Sequence, residues 1–217
     1  MKRTRLFVCL IASCTLTVLA QTEERPLAAP ATEEAAIQLT PHETPAGLKI
    51  IYSNLGKKGD LYTEGGYELY GPESVLGQGY SIFEAMQFTP KSDSHVEQVQ
   101  VAVQYGGSGA NQINLNIYGS SDGVPATLLA GPVTVTNLSD LGTCCDLAVA
   151  NFSPVAVTAG TQYWVVADTP LTGLGSDFIG GWSVITKKIP FAGGNSSGWH
   201  SGDAQTLPAG EVLGTIP

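Results

Sequence analysis

Polar and hydrophobic residues alternate along residues 95–105 and again along residues 113–117. The hydrophobic members of the first run are Val99, Val101, Val103 and Tyr105. A period of two is typical of a strand that buries one face. The two runs are therefore predicted to be two strands, and the segment Gly106 to Gly109 between them is predicted to be a hairpin connection.

Further strand-like runs occur at similar spacing and are separated by short segments rich in Gly, Pro and Asp. They are Lys49–Ser53, Tyr80–Phe88, Leu128–Leu138, Cys145–Phe152, Gln162–Asp168 and Trp182–Thr186. No window carries a sustained helical stripe, and residues 172–202 read as loops with one or two late strands. The pattern predicts an all-β fold, an antiparallel β-sandwich or jelly roll.

The first residues of the chain have the features of an export signal. Three basic residues precede an apolar run from Leu6 to Leu19, and Val18 to Ala20 forms a small-residue cleavage pattern. We predict a signal peptide at residues 1–20 and a flexible acidic, proline-containing linker at residues 21–47. The β-sandwich domain is predicted at residues 48–217.

A second interpretation of the signal is lipidation. Ile11 to Cys14 resembles a bacterial lipobox, in which the thiol of Cys14 receives a lipid and becomes the N-terminus. The alternative is that Cys14 is one more small apolar residue of the signal. Both interpretations predict export, to the extracellular space or the periplasm, with a lipid anchor at Cys14 as the alternative form.

The charge of the chain excludes one class of partner. It carries 10 basic and 19 acidic residues, a net charge of −9, and removal of Lys2, Arg3 and Arg5 with the signal changes this to 7 − 19 = −12. Nucleic acid is therefore not an expected partner. No later apolar stretch is long enough to predict a transmembrane segment.

Several segments, taken in order, carry a resemblance to a known family. They are Ile51–Gly56, Ala85–Pro90, Asn116–Tyr118, Asp122–Pro125, Gly142–Cys145 and Val157–Val166. In this order the chain resembles the bacterial secreted choice-of-anchor domains, most nearly type R, and residues 159–164 are the most specific part. The resemblance implies a β-sandwich displayed at the cell surface or released, with no established enzymatic activity.

Cys144 and Cys145 are adjacent, and they are the two cysteines that remain after cleavage behind Ala20. In an oxidising compartment two thiols are a disulfide candidate. Such a bond would be either a structural clasp of the turn that Gly142 begins or a reducible switch. Zinc binding is not predicted, because no further Cys or His pair completes a ligand set.

A hydrolase is the alternative to a binding module. Gly194 to Gly198 matches the G-x-S-x-G pattern with Ser196 at its centre, and His200 lies nearby, but the pattern has meaning only between a strand and a helix. Paired carboxylates are the other route. The acids that could converge are Glu64, Glu68, Glu84, Asp168 and Asp177.

Two remaining features concern ligands. Asp122 is a calcium candidate, although the Asp122–Gly123 pair is equally what a tight turn requires. Trp182 and Trp199 lie in the glycine-rich tail and are candidates for exposed rings that stack on a sugar, with burial in the core as the alternative.

Together these patterns predict a non-catalytic, secreted or cell-envelope β-sandwich module. Its expected partner is a polysaccharide or another envelope component, and no cofactor is predicted apart from calcium as an option at Asp122.

Overall fold

The computed structural model describes residues 44–56, 61–185, 189–195, 197–204 and 206–217. For Glu64 and for residues 189–191 and 201–204 only the backbone is described. The predicted signal peptide, Cys14, most of the predicted linker and Ser196 lie outside these ranges. The described ranges contain no helix with the length and apolarity that a bilayer crossing needs.

Strands make up most of the described chain. In order they are β1 (Lys49–Ser53), β2 (Thr63–Tyr70), β3 (Ile82–Phe88), β4 (Ser94–Val101), β5 (Val103–Ser108), β6 (Gln112–Ser121), β7 (Val124–Thr136), β8 (Ala148–Val157), β9 (Tyr163–Asp168), β10 (Ile179–Ile185), β11 (Ile189–Asn195), β12 (Gly198–Ala204), β13 (Leu207–Pro208) and β14 (Gly210–Thr215).

The strands form a small sheet and a large sheet. The small sheet has four strands in the order β1-β14-β4-β8. The large sheet has the order β13-β10-β2-β3-β9-β6-β7, with β5 paired to β10 and with β11 bridging β3 and β12. The described ladders are antiparallel. The predicted all-β antiparallel sandwich is confirmed.

The core lies between the inner faces of the two sheets. The large sheet contributes Leu115, Val165 and Ala167, and the small sheet contributes Val99 and Val212, all of them fully buried. Successive side chains of a strand point to opposite faces, so the alternation seen in the sequence puts the aliphatic residues on the inner face. Their burial supplies the main stabilising term.

The alternating run at residues 95–105 is two strands rather than one. β4 belongs to the small sheet, whereas β5 pairs with β10 of the large sheet. At Ala102 the chain passes between the sheets, since the Ala102 amide donates to Ala209 O and the Ser183 amide donates to Ala102 O. The predicted hairpin at Gly106 to Gly109 is also wrong, because β6 pairs with β9 and β7 instead of β5.

The large sheet curls outward at its β11–β12 end. In a flat sheet five strand spacings, roughly 24 Å, would separate β12 from β7. Cα atoms of these two strands instead lie within 8 Å of each other. The outer face of β3, β9 and β6 is therefore concave, and we call this concave surface the outer trough.

Candidate functional site

A fully buried apolar layer lies beneath the outer trough, and we call this layer the floor. Ala85, Trp164, Val166 and Ala192 form a small second cluster, separate from the sandwich core. Strand register places Ala192 beside Ala85 and Ala85 beside Val166. The Trp164 indole is fully buried, and its Nε1 donates to Ser120 Oγ over 3.0 Å. The sheet therefore has apolar surface on both faces at this point.

A row of polar side chains runs along one border of the floor. Asn114 lies opposite Asp168 and Thr134, and Asn116 lies opposite Val166. Asn116 Nδ2 donates to Asp168 Oδ2 over 3.2 Å, and Thr134 Oγ1 donates to Asn114 Oδ1 over 2.9 Å. These side chains are the outward half of the alternation that buries the aliphatic residues of β6 on the inner face.

Asp168 is the last residue of β9 and the carboxyl group of this row. Burial raises its pKa to about 6, while side-chain hydrogen bonds from Asn116 and Asn114 act in the opposite direction. The two amides therefore only partly compensate the lost hydration of the carboxylate. A buried carboxyl group held near neutral pKa in a concavity marks a candidate functional site.

Two more polar groups border the floor. Tyr118 lies opposite Trp164 on β6, and its phenol pKa is raised by burial and by the nearby Asp168 carboxylate. Gln87 lies opposite Trp164 on β3, and its buried Oε1 has no hydrogen-bond donor. A buried acceptor without a donor is costly, and a ligand hydroxyl would satisfy it.

Glycine at position 131 lets β7 approach the polar row closely. A Cβ at Gly131 would lie 2.6 Å from Asn116 Oδ1, and the residue has φ of +114°. A side chain here would therefore displace the Asn116 amide that donates to Asp168.

Trp199 lies at the edge of the trough. The ring is partly exposed, packs against the apolar floor, and meets Phe83 edge to face with a centroid distance of 4.8 Å. The sequence predicts Trp199 as a candidate stacking residue, and the structure places it against the apolar floor of the trough. Its partial exposure leaves ring surface available to a ligand.

Trp182 does not fit the same prediction. The ring is fully buried in the sandwich core, and its Nε1 donates to Ala209 O over 2.9 Å. The expected exposure is wrong because residues 179–185 form β10, which β2 and β5 flank on either side. A large ring on the inner face of a central strand fills the core.

Two of the acids expected for a hydrolase, Glu84 and Asp168, are not brought together. Glu84 lies opposite Ala167 on the adjacent strand, so it emerges on the face of the sheet opposite to Asp168. Glycoside hydrolysis needs two carboxyl groups facing one bond. The residues around Ser196 form the β11–β12 hairpin, in which Asn195 pairs with Gly198, and no helix follows.

Asp122 sits at the tip of the β6–β7 hairpin. Ser121 pairs with Val124, and both Asp122 and Gly123 have positive φ, 53° and 78°. This is the backbone that a two-residue turn requires, and Asp-Gly suits it. No set of three His, Cys, Asp or Glu residues in the described ranges is placed to hold a metal ion.

Cys144 and Cys145 are joined by a disulfide across a cis peptide bond. Buried Gln104 holds the surrounding turn with two hydrogen bonds. Its Nε2 donates to Thr143 O, and its Oε1 accepts from the Gly142 amide. The Tyr62 hydroxyl donates to Asp146 O over 3.0 Å. Both half-buried cysteines pack against the sandwich core.

A second concavity, with a volume of about 440 Å³, lies between the end of β7 and the start of β8. Its walls are Val135 to Ser139 and Asp146 to Val149, which include no aromatic ring. It therefore lacks the combination of aromatic edge, apolar floor and paired amides that the outer trough has.

Comparison with protein-family models and with curated proteins finds no match to this chain. The resemblance to choice-of-anchor domains thus depends on the sequence segments alone. Sequence reasoning singled out Trp199 and named Asp168 among the acids, but it missed Asn114, Asn116 and Gln87 as site residues. The only signal for them was a polar half of an alternation that any solvated strand face would share.

Proposed function

We propose that this chain is an exported, non-catalytic β-sandwich module that binds a neutral sugar unit of a polysaccharide in the outer trough. The observation that carries the proposal is the Asp168 carboxyl group with its two amide donors beside an apolar floor. A sugar ring has an apolar face, which would stack on the partly exposed ring of Trp199, and a rim of hydroxyls, which would bond to Asp168 and Gln87. The resemblance to secreted choice-of-anchor domains supports the same class of function.

The charges near the site favour a neutral polymer over an anionic one. Asp168 is mostly ionised above its pKa of about 6. The chain as a whole carries a net charge of −9. Both would repel uronic acid or phosphate groups, whereas a hydroxyl donates readily to a carboxylate.

A glycan array at pH 7.5, run with and without calcium, tests the proposal. The wild type is expected to bind neutral oligosaccharides equally in both conditions. Asp168→Asn is expected to weaken binding at least tenfold, because a hydrogen bond to a charged acceptor is replaced by one to an amide. Asp140→Asn, which changes an exposed carboxyl on another loop, is the matched control.

Two results of the array would contradict the proposal, and a third would relocate the site. An array without any bound glycan, or Asp168→Asn binding as tightly as Asp140→Asn, would contradict the proposal. Binding that requires calcium would move the site from the trough to a metal centre.

A further inference from the structure

Two loops lie side by side at the end of the large sheet where β2 ends and β10 begins. They are residues 71–81, between β2 and β3, and residues 169–178, between β9 and β10. The Gly71 amide donates to Phe178 O, and the Glu73 amide donates to Ser176 O, each over 2.9 Å. These bonds continue the β2–β10 ladder, so the two loops form one ordered projection, which we call the apex.

The apex presents large hydrophobic side chains to solvent. Five of them are between 53% and 75% exposed: Val75, Leu76, Tyr80, Leu171 and Leu174. Together the five residues expose roughly 600 Å² over the two neighbouring loops, an area comparable with the largest apolar patch of a typical monomer, and exposed hydrophobic surface of this size marks interaction sites.

Both acidic side chains of the apex have hydrogen-bond partners. Glu73 and Asp177 are the charged residues in the two loops, and neither loop contains a basic residue. Ser176 Oγ donates to the Glu73 carboxylate, and the Ala110 amide donates to Asp177 Oδ1 over 2.9 Å. Asp177 is partly buried, whereas Glu73 is exposed, so a surface that covers the hydrophobic tips has to leave the Glu73 carboxylate at its hydrated edge.

The size and form of the patch decide between occupants. A stable protein partner or second copy buries about 800 Å² on each side in a packed, complementary interface. The apex offers less area, divided between two protruding loops. The interfacial region of a bilayer is fluid, so it can surround two separate loop tips without a matching surface. An amphipathic ring such as that of Tyr80 is favoured in this region.

We propose that the apex inserts shallowly into the surface of a zwitterionic lipid bilayer. The inserted side chains are those of Val75, Leu76, Leu171 and Leu174, with Tyr80 at the level of the headgroups. β9 ends at Asp168 directly before the second loop, so a docked molecule would hold the outer trough close to the membrane surface. The inference does not depend on what the trough binds.

Quenching by brominated phosphatidylcholine vesicles tests the insertion residue by residue in the full chain. Leu174→Trp places an indole at the apex, and Leu129→Trp places one at a 41% exposed site on β7 as the matched control. We expect the added fluorescence of Leu174→Trp to be quenched at least twofold, and that of Leu129→Trp to stay unquenched. The quenching should persist in 0.5 M salt, because the apex has no basic residue to bind lipid phosphate.

Two results would overturn the inference. One is equal quenching of both indoles, or none, at saturating lipid. The other is a dimer in analytical ultracentrifugation that the double variant Leu171→Ser, Leu174→Ser converts to a monomer, since a second copy would then cover the patch.

Discussion

The two faces of β9 show how one strand serves two purposes. Its inner side chains are Tyr163, Val165 and Ala167, which close on the sandwich core. Its outer side chains begin in the same way with Trp164 and Val166, but they end on Asp168.

The inner side chains of β9 itself carry no ionisable carboxyl group, whereas its outer side chains end on one whose burial is only partly compensated. Burial of apolar surface needs no partner, but a buried charge needs several. The buried carboxyl group of Asp168 on the outer face therefore lowers the stability of the fold, as groups in binding sites often do.

The two tryptophans provide the largest contrast in stability. Trp182→Ala is expected to lower the free energy of unfolding by about 3–5 kcal/mol, because it empties a fully buried site and removes the hydrogen bond from the indole to Ala209 O. Trp199→Ala is expected to cost about 1 kcal/mol, because the ring is partly exposed, but to abolish glycan binding. Urea unfolding of both variants checks this, and equal losses would erase the distinction between the faces.

The Asp168 carboxyl group is expected to make stability fall with rising pH. Its pKa is about 6 in the folded chain against 3.8 in the unfolded chain, so the folded state holds the proton more tightly. The relative stabilisation is full below pH 3.8 and is lost as pH rises towards 6, a change of about 3 kcal/mol.

Asp168→Asn isolates this effect from the other acids. The variant should match the wild type near pH 4 and exceed its unfolding free energy by about 3 kcal/mol at pH 8. Tyr118, the other titrating group beside the carboxyl, stays neutral across this range, since its pKa is raised. A constant difference between the two proteins from pH 4 to pH 8 would show that Asp168 is not the group responsible.

Gln104 is a buried polar residue whose side-chain hydrogen bonds are satisfied, in contrast to the incompletely compensated Asp168. Gln104→Leu is expected to cost about 2 kcal/mol, because Thr143 O and Ser183 Oγ lose a buried partner. Thermal unfolding measures the loss, with Gln78→Leu on an exposed loop as the control for hydrophobic replacement. A neutral effect would mean that water replaces the amide and that the turn does not depend on it.

The smallest effect is expected at the tip of the β6–β7 hairpin. Asp122→Asn should change the free energy of unfolding by less than about 0.5 kcal/mol, because Asn accepts positive φ as readily as Asp. Calcium at 5 mM should leave the melting temperatures of both proteins unchanged. A calcium-dependent rise in the wild type that Asp122→Asn removes would restore the metal interpretation.

Several elements of the fold follow directly from the sequence. The range predicted for β1 is the observed one, and β9 begins one residue after its predicted start. The prediction of a single strand at residues 95–105 is wrong at Ala102, where the chain passes from one sheet to the other. Alternation shows that a segment is extended, but it does not show to which sheet the segment belongs. The sequence predicts mainly loops in the region of β11 and β12, because Gly and Ser residues obscure the period of these two strands.

The amino-acid pattern is sufficient to predict that this chain is built from strands with one aliphatic face, because the period of two is a local property of the extended backbone. It also supplied the aromatic and acidic residues from which a site could be made. The tertiary structure is needed to place Trp182 in the core and Trp199 at the edge of the outer trough, and to bring Asp168 within hydrogen-bonding distance of Asn114 and Asn116. Those outcomes depend on strand order and sheet curvature, which arise from contacts between residues far apart in the chain.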